Sequence, residues 1–227
     1  MRILALETSG TTGSVAAFDD SRALSQAALD PALRSARTLA PAIAELLKQV
    51  AWKPRDVQMV AVGVGPGSFT GLRLGVMTAK AFAYAVGAQV LAISTLEAIA
   101  RNSADGAGRV AVAIDAQRGE VYCGRYHFLA GGEVEREAEI AIISVDDWLA
   151  SLNQETLASG PALVKLAERV NAAAHLAPRD KWLPDAAAIG RLAAQRAARG
   201  ESDDLWSLAP CYLRRSAAEE KWETRAT

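Results

Sequence analysis

Val60-Ala61-Val62-Gly63-Val64-Gly65-Pro66-Gly67-Ser68-Phe69-Thr70-Gly71-Leu72-Arg73-Leu74-Gly75 reads as a buried strand that runs through a glycine-rich turn into a helix. The apolar run from Val57 to Val64 is too short for a typical helix and rich in valine, as in a strand covered on both faces. Gly65-Pro66-Gly67 stops it. From Thr70 onward, Leu72, Val76, Ala79, Ala83 and Val86 recur at helical spacing, and Thr70 or Ser68 can cap the first free N–H groups. A strand, a glycine-rich turn and a helix N-terminus make an anion site in principle, and the same spacing also suits a plain tight turn. Two phosphate motifs are excluded. A Walker loop needs Gly-Lys-Ser/Thr, but Thr70 stands five residues after Gly65 and the nearest downstream lysine is Lys80. A dinucleotide fingerprint begun at Gly63 or Gly65 needs glycine where Ser68 or Thr70 stands.

The 227 residues suffice for two small domains, each with its own core. With 51% hydrophobic and 22% charged residues and a net charge of −1, the chain has no general attraction to nucleic acid or anionic membrane. Any RNA contact is then local or made through a partner. Met1-Arg2 is followed by only four apolar residues before Glu7, so neither a signal peptide nor a membrane span is expected, and the expected location is cytoplasmic. Cys123 and Cys211, far apart and without ligand spacing, read as free thiols.

Ile3–Glu7 reads as a first strand, Ser14–Phe18 as a second pairing back on it, and Arg22–Leu29 as a third. A helix runs to about Val50 with Leu39, Ile43, Leu46 or Leu47, and Val50 on one face. Pro41 predicts that its regular part begins near Ala40. Val90–Ile93 is a further strand, and Ser94-Thr95-Leu96-Glu97 has the pattern of a capping box opening a helix to about Ser103. The polar stretch Asn102–Gly108 is the best internal boundary, giving halves 1–104 and 105–227, with the final segment able to pack back on the first half. Val110–Asp115 then repeats the design of Ile3–Glu7, an apolar strand ending in an acid. A second strand spans Glu120–Phe128 and a third Val134–Ile140. There follow a short helix capped by Ser144, a strand near Thr156–Ala158, a helix over Pro161–Asn171 and a long helix over Asp185–Arg199. Two similar α/β halves leave a cleft between them, the favoured place for a small-molecule site. Glu7, Thr8 and Asp115, at the ends of the two repeated strands, are its candidate nucleotide-cleft residues. A chance acid beside a β-hairpin fits Glu7 equally well.

Ile3–Ser9 with Ser14-Val15-Ala16, the glycine-rich stretch Gly63–Gly75, Ser94-Thr95-Leu96, Ala113–Tyr122 and Pro210–Arg214 together resemble, in order and over nearly the whole chain, the bacterial TsaB (YeaZ) family. The resemblance implies an actin-like, Hsp70-like ATPase (ASKHA) fold, α/β, of two RNase H-like halves with mixed sheets flanked by helices. It also implies a role in the threonylcarbamoyl modification of adenosine next to the anticodon in tRNAs that read codons starting with A. In that family the transferase is the paralogue TsaD, which holds a metal through a His-x-x-x-His pair. His127 and His175 are too distant in sequence to form that pair. The resemblance therefore implies a non-catalytic partner, without metal or cofactor of its own, that binds and activates TsaD, with TsaE joining the assembly, tRNA held through the complex and a homodimer formed when alone. Two residues depart from the family pattern: Glu7 stands where the first strand commonly ends in Asp, and Arg34 where a histidine is common.

The helix after the glycine loop carries a second stripe, Arg73, Met77, Lys80 and Tyr84, beside its core stripe. The family pairs through helices of the N-terminal half, so these four are the candidate partner interface. A solvated face is the simpler alternative. Two other functions find only part of what they need in these residues. A small-molecule kinase would use the glycine loop with Asp115 as base, yet no second phosphate loop is evident beyond Ser159-Gly160-Pro161. A peptidase would need an activated nucleophile, and Ser68 lacks a Gly-x-Ser-x-Gly context.

Overall fold

The structure, a computed structural model, describes residues 1–30, 35–103, 108–129 and 134–214. Three strands open the chain, β1 (Arg2–Glu7), β2 (Ser14–Asp19) and β3 (Arg22–Ala28), followed by α1 (Ser35–Gln49), β4 (Met59–Gly65), α2 (Phe69–Val86), β5 (Gln89–Ser94) and α3 (Thr95–Ser103). The second series runs β6 (Gly108–Gln117), β7 (Glu120–Phe128), β8 (Val134–Arg136), β9 (Ala141–Ser144), α4 (Val145–Ala150), β10 (Thr156–Ser159), α5 (Leu163–Asn171), β11 (His175–Leu176) and α6 (Ala186–Ala198). The boundary expected at residues 104 and 105 and the departure at Arg34 lie outside the described residues.

The first sheet has the order β3-β2-β1-β4-β5, antiparallel through the hairpins and parallel across β1, β4 and β5. Its central strands are buried on both faces, which is why β1 and β4 read as continuous apolar runs rather than alternating ones. The second sheet has the order β11-β10-β6-β7-β8, with β9 also on β7.

Five layers result. One face of the first sheet, with Leu4, Leu6, Val15, Val60 and Val62, packs on Leu39, Ile43 and Leu46 of α1 and Val76, Ala79 and Ala83 of α2. Its other face, with Ile3, Ala5, Phe18, Met59 and Ile93, packs on Ala186–Ala194 of α6. The second sheet mirrors this arrangement. Val110, Val112, Tyr126 and Phe128 pack on Leu96, Ile99 and Ala100 of α3, while Ala111, Ala113 and Val121 cover Trp148 of α4 and Leu163 and Val170 of α5. So α3 covers the sheet that follows it, α6 returns to the first sheet, and the two helices touch in the middle layer.

Several elements differ from their sequence expectation. The first helix begins at Ser35, with Pro41 inside it, rather than near Ala40. Proline removes one intrahelical N–H, but Pro41 lies on the exposed side and Leu39, buried in the core, anchors the preceding turn. The strand expected over Val134–Ile140 is two short strands, because the nine-residue β7 takes β8 along Tyr126–Phe128 and β9 along Glu120–Cys123. The capping box at Ser94 does not form. Both Glu97 carboxylate oxygens accept instead from Arg196 Nη2, at 2.8 and 2.7 Å, joining α3 to α6.

The approach of α6 to the first sheet depends on small residues. Asp185 caps it through Ala188 N–H at 2.7 Å, and Ala186 N–H donates to Ser14 Oγ at 2.9 Å, pinning its start to β2. A Cβ on Gly190 would collide with the buried ring of Phe18. Helix propensity alone favours Gly190→Ala by about 1 kcal/mol. The collision predicts the opposite sign: a net loss of about 2 kcal/mol and a Tm lower by roughly 4–8 °C, measurable by calorimetry.

Candidate functional site

The turn between β4 and α2 is held by the turn that follows β1. Ser68 N–H donates to Ser9 C=O at 2.8 Å, and Thr8 Oγ1 donates to Gly71 C=O at 2.8 Å. Side chains at Gly71 and Gly75 would collide with the Thr8 carbonyl and hydroxyl, so glycine at both lets α2 lie against the end of β1. Gly65 has φ of 117°, a conformation that excludes ordinary side chains. Ser68 is the N-cap, its hydroxyl accepting from Gly71 N–H at 3.3 Å, and Thr70 is an exposed residue of the first turn.

Glu7 is fully buried at the end of β1. Ser9 N–H donates to its Oε1, while Oε2 lies against Gly63 and has no partner among the described residues. Burial pushes its pKa up, and the nearby charge of Asp185 adds to the rise against the lowering effect of the Ser9 hydrogen bonds. The carboxyl is therefore a buried group that favours its protonated form.

Between the sheets lies a cleft of about 840 Å³. Of the glycine loop, Pro66, Gly67 and Ser68 line it, and Gly63, Gly65, Thr70 and Gly71 do not. Of the three expected cleft residues only Asp115 lines it. Glu7 and Thr8 are buried behind the loop. Asp115 is already engaged, accepting from Lys165 Nζ at 2.8 Å and from Gln117 N–H at 2.7 Å, and the Lys165 hydrogen bond holds its carboxyl below the usual range. Opposite the loop, Arg118 and Tyr122 from the β6–β7 hairpin contribute, with Thr95 at the start of α3.

No group of three metal-ligating side chains is found among the described residues. His127 on β7 and His175 on β11 stand three strands apart, roughly 14 Å at normal strand spacing, too far to share one ion. The carboxylates expected to hold a magnesium–nucleotide in a cleft of this kind do not fit that task, since Glu7 is walled off and Asp115 is paired.

The outer face of α2 is shared with a chain segment that periodicity did not single out. Residues 203–214 cross from β5, where Asp203 N–H donates to Val90 C=O at 2.9 Å, over α2 to the β6–β7 hairpin. Lys80 Nζ donates to the carbonyls of Trp206 and Leu208 at 2.8 and 2.9 Å, Cys211 N–H to Val64 C=O at 2.7 Å, and Arg214 to Ala116 C=O and the Glu120 carboxylate. Arg73 lies over the Phe69 ring at 3.9 Å and donates to Tyr212 Oη at 3.0 Å, while Phe69 and Tyr212 stack at 4.7 Å. Of the expected stripe, Lys80 and Arg73 thus hold the C-terminal segment. Met77 and Tyr84 stand out at 63% and 69% exposure, joined by Trp206 at 72%, edge-on to Tyr84 at 5.6 Å. The sequence signals for this segment are the Pro210–Arg214 stretch of the family resemblance and the expected return of the chain's end to the first half; neither points to Trp206.

Comparison with known proteins follows the same geometry. The family model of TsaD, tRNA N6-adenosine threonylcarbamoyltransferase, matches residues 32–222. The tRNA threonylcarbamoyladenosine biosynthesis protein TsaB of Bacillus subtilis is 28% identical over 98% of this chain and 98% of its own length. The protein of the same name from Escherichia coli is 31% identical over 97% of this chain and 98% of its own. The structure of YeaZ from Pseudomonas aeruginosa superposes with a TM-score of 0.81 at 32% identity, covering 93% of this chain and 99% of that one. The chain shares the fold of that YeaZ structure, two mixed or antiparallel-edged sheets flanked by helices.

Because the folded protein raises the pKa of Glu7, that group favours folding fully below its unfolded value near 4.5 and loses the contribution as pH rises through the folded value. Glu7→Gln keeps an acceptor for Ser9 N–H without the titrating charge. Its Tm relative to the parent protein is expected to rise between pH 5 and pH 8 in parallel melts. A difference flat with pH would contradict the raised pKa of Glu7.

Proposed function

We propose, since the chain belongs to the TsaB (YeaZ) family, that it takes part in tRNA threonylcarbamoyladenosine biosynthesis as a non-catalytic partner that binds and activates the TsaD transferase. The modified adenosine is the one next to the anticodon in tRNAs that read codons starting with A. The observation that carries this reading is the likeness to TsaB proteins over nearly the full length of both chains. TsaE joins the assembly, tRNA is held through the complex, and the work is done in the cytoplasm. No helix among the described residues is long and apolar enough to cross a membrane.

The outer face of α2 is the docking surface in this reading. Aromatic residues, Met and Arg are enriched at interfaces, and Met77 and Tyr84 project from this face while Arg73 and Lys80 fix its frame. Without TsaD the same face pairs two copies of the chain, so the homodimer and the TsaD complex are mutually exclusive.

The test is tRNA threonylcarbamoylation by purified TsaD and TsaE supplied with threonylcarbamoyl-AMP. Modification is expected to require both TsaD and this chain, with the chain inert alone. TsaD working equally well without it would overturn the reading. Met77→Asp is expected to abolish TsaD binding in sedimentation velocity and leave the monomer's Tm within about 2 °C, because its site is exposed.

A further inference from the structure

The outer side of α2 is flat in its middle and chemically different at its two ends. Met77, Ala81, Tyr84 and Ala85 stand exposed at spacings of i, i+4, i+7 and i+8, one outward stripe with Arg73 a turn before them. Alanine at positions 81 and 85 lets a second helix come close. The N-terminal end of the stripe is cationic, with the Arg73 guanidinium lying over the Phe69 ring and its Nε–H donating to Tyr212 Oη. The C-terminal end is aromatic and acidic. Tyr84 meets the edge of Trp206, and beside them stands the exposed Asp204, whose carboxylate accepts from Ser207 N–H at 2.7 Å. Lys80 ties this end down through the carbonyls of Trp206 and Leu208, so the tryptophan backbone is fixed while its ring stays in water. A tryptophan held in this way at the end of an apolar stripe is the residue type that anchors interfaces.

A second copy of the chain, laid face to face on this stripe, is related to the first by a two-fold axis in the plane of contact. An axis running along α2 makes the two helices parallel and sets each Arg73 on its own counterpart, a like-charge pair that costs free energy. An axis running across α2 makes them antiparallel and sets cation against aromatic ring and acid. Resting on the reading of the α2 face as the docking surface, we propose that two copies pair through antiparallel α2 helices, with Trp206 and Asp204 of each copy against Arg73 of the other. Arg73 and Tyr84 lie about 16–17 Å apart along the helix at its normal rise, and the axis passes midway between them. Met77 of each copy then covers Ala81 of the other, large on small, and the interface extends beyond α2 onto the C-terminal segment.

Sedimentation velocity and oxidative cross-linking of the full chain, without any partner protein, test this. Trp206→Ala is expected to raise the dimer dissociation constant at least about tenfold, since each dimer contains the contact twice. Its Tm should stay within about 2 °C of the parent, because the ring is exposed. Arg73→Ala should weaken the dimer as well, and adding Trp206→Ala to it should weaken it little further, because the two side chains act on each other. For the direction of pairing, Met77→Cys and Ala81→Cys proteins, both also carrying Cys123→Ser and Cys211→Ser, are mixed, oxidised with copper phenanthroline and weighed intact. The mixed disulfide between the two proteins is expected to predominate, whereas parallel helices would join each protein to itself. Disulfides of each protein with itself predominating, or Trp206→Ala dimerising like the parent while Met77→Asp is monomeric, overturns the antiparallel pairing and leaves the α2 face as the docking surface. A Met77→Asp protein that dimerises like the parent overturns both.

Discussion

Each sheet of this protein has two apolar faces, and each relies for one of them on a helix from the other half of the chain. Leu96, Ile99 and Ala100 of α3 close the second sheet, and the alanine-rich α6 closes the first over Ile3, Phe18, Met59 and Ile93. Burial of apolar surface is the dominant favourable contribution to folding, so an uncovered sheet face would forfeit much of it. The exchange also brings α3 and α6 into contact, where Arg196 clasps Glu97 and Arg191 Nη2 reaches Asn102 Oδ1 at 3.3 Å. A half-buried ion pair of this kind adds little net stability, since desolvation offsets attraction. Its effect is on register: it fixes how far along each other the two central helices lie.

The positions of the cleft and the partner face follow from that middle layer. With α3 and α6 joining the sheets on one side, the open side is bounded by the turn after β1, the glycine loop and the β6–β7 hairpin. The segment after α6 then runs back along β5, over α2 and on to that hairpin, tied by Asp203, Lys80, Cys211 and Arg214. Phe69 and Tyr212 belong to both places. Their stack lines the cleft, and Arg73 above it stands on the outer face of α2.

Where a side chain's burial is settled by its own strand or helix, the sequence was readable. The runs of β1 and β4 and the core stripe of α2 through Ala83 lie where periodicity puts them. Features decided by distant segments were not readable. Glu7 read as a cleft residue because a strand end usually opens outward, but α2 and α6 close over it. Glu97 read as half of a capping box, and only the arrival of α6 reveals Arg196 as its partner. Trp206 carries no spacing signal, since it matters through a tertiary contact with Tyr84. α1 starts earlier than Pro41 alone implies, because the turn before it is anchored by the buried Leu39.

The return of α6 also has a consequence for synthesis. A ribosome delivers β1 through β5 long before it delivers residues 186–198, and until then the far face of the nascent first sheet is covered only in part, by Ala98 of α3. The strip of Ile3, Ala5, Phe18, Met59 and Ile93 lacks its α6 cover through the translation of nearly a hundred further residues, which at typical elongation rates is roughly 5–20 seconds. That interval makes the growing chain a client for holding chaperones, and makes a fragment cut between the halves a poor candidate for soluble expression.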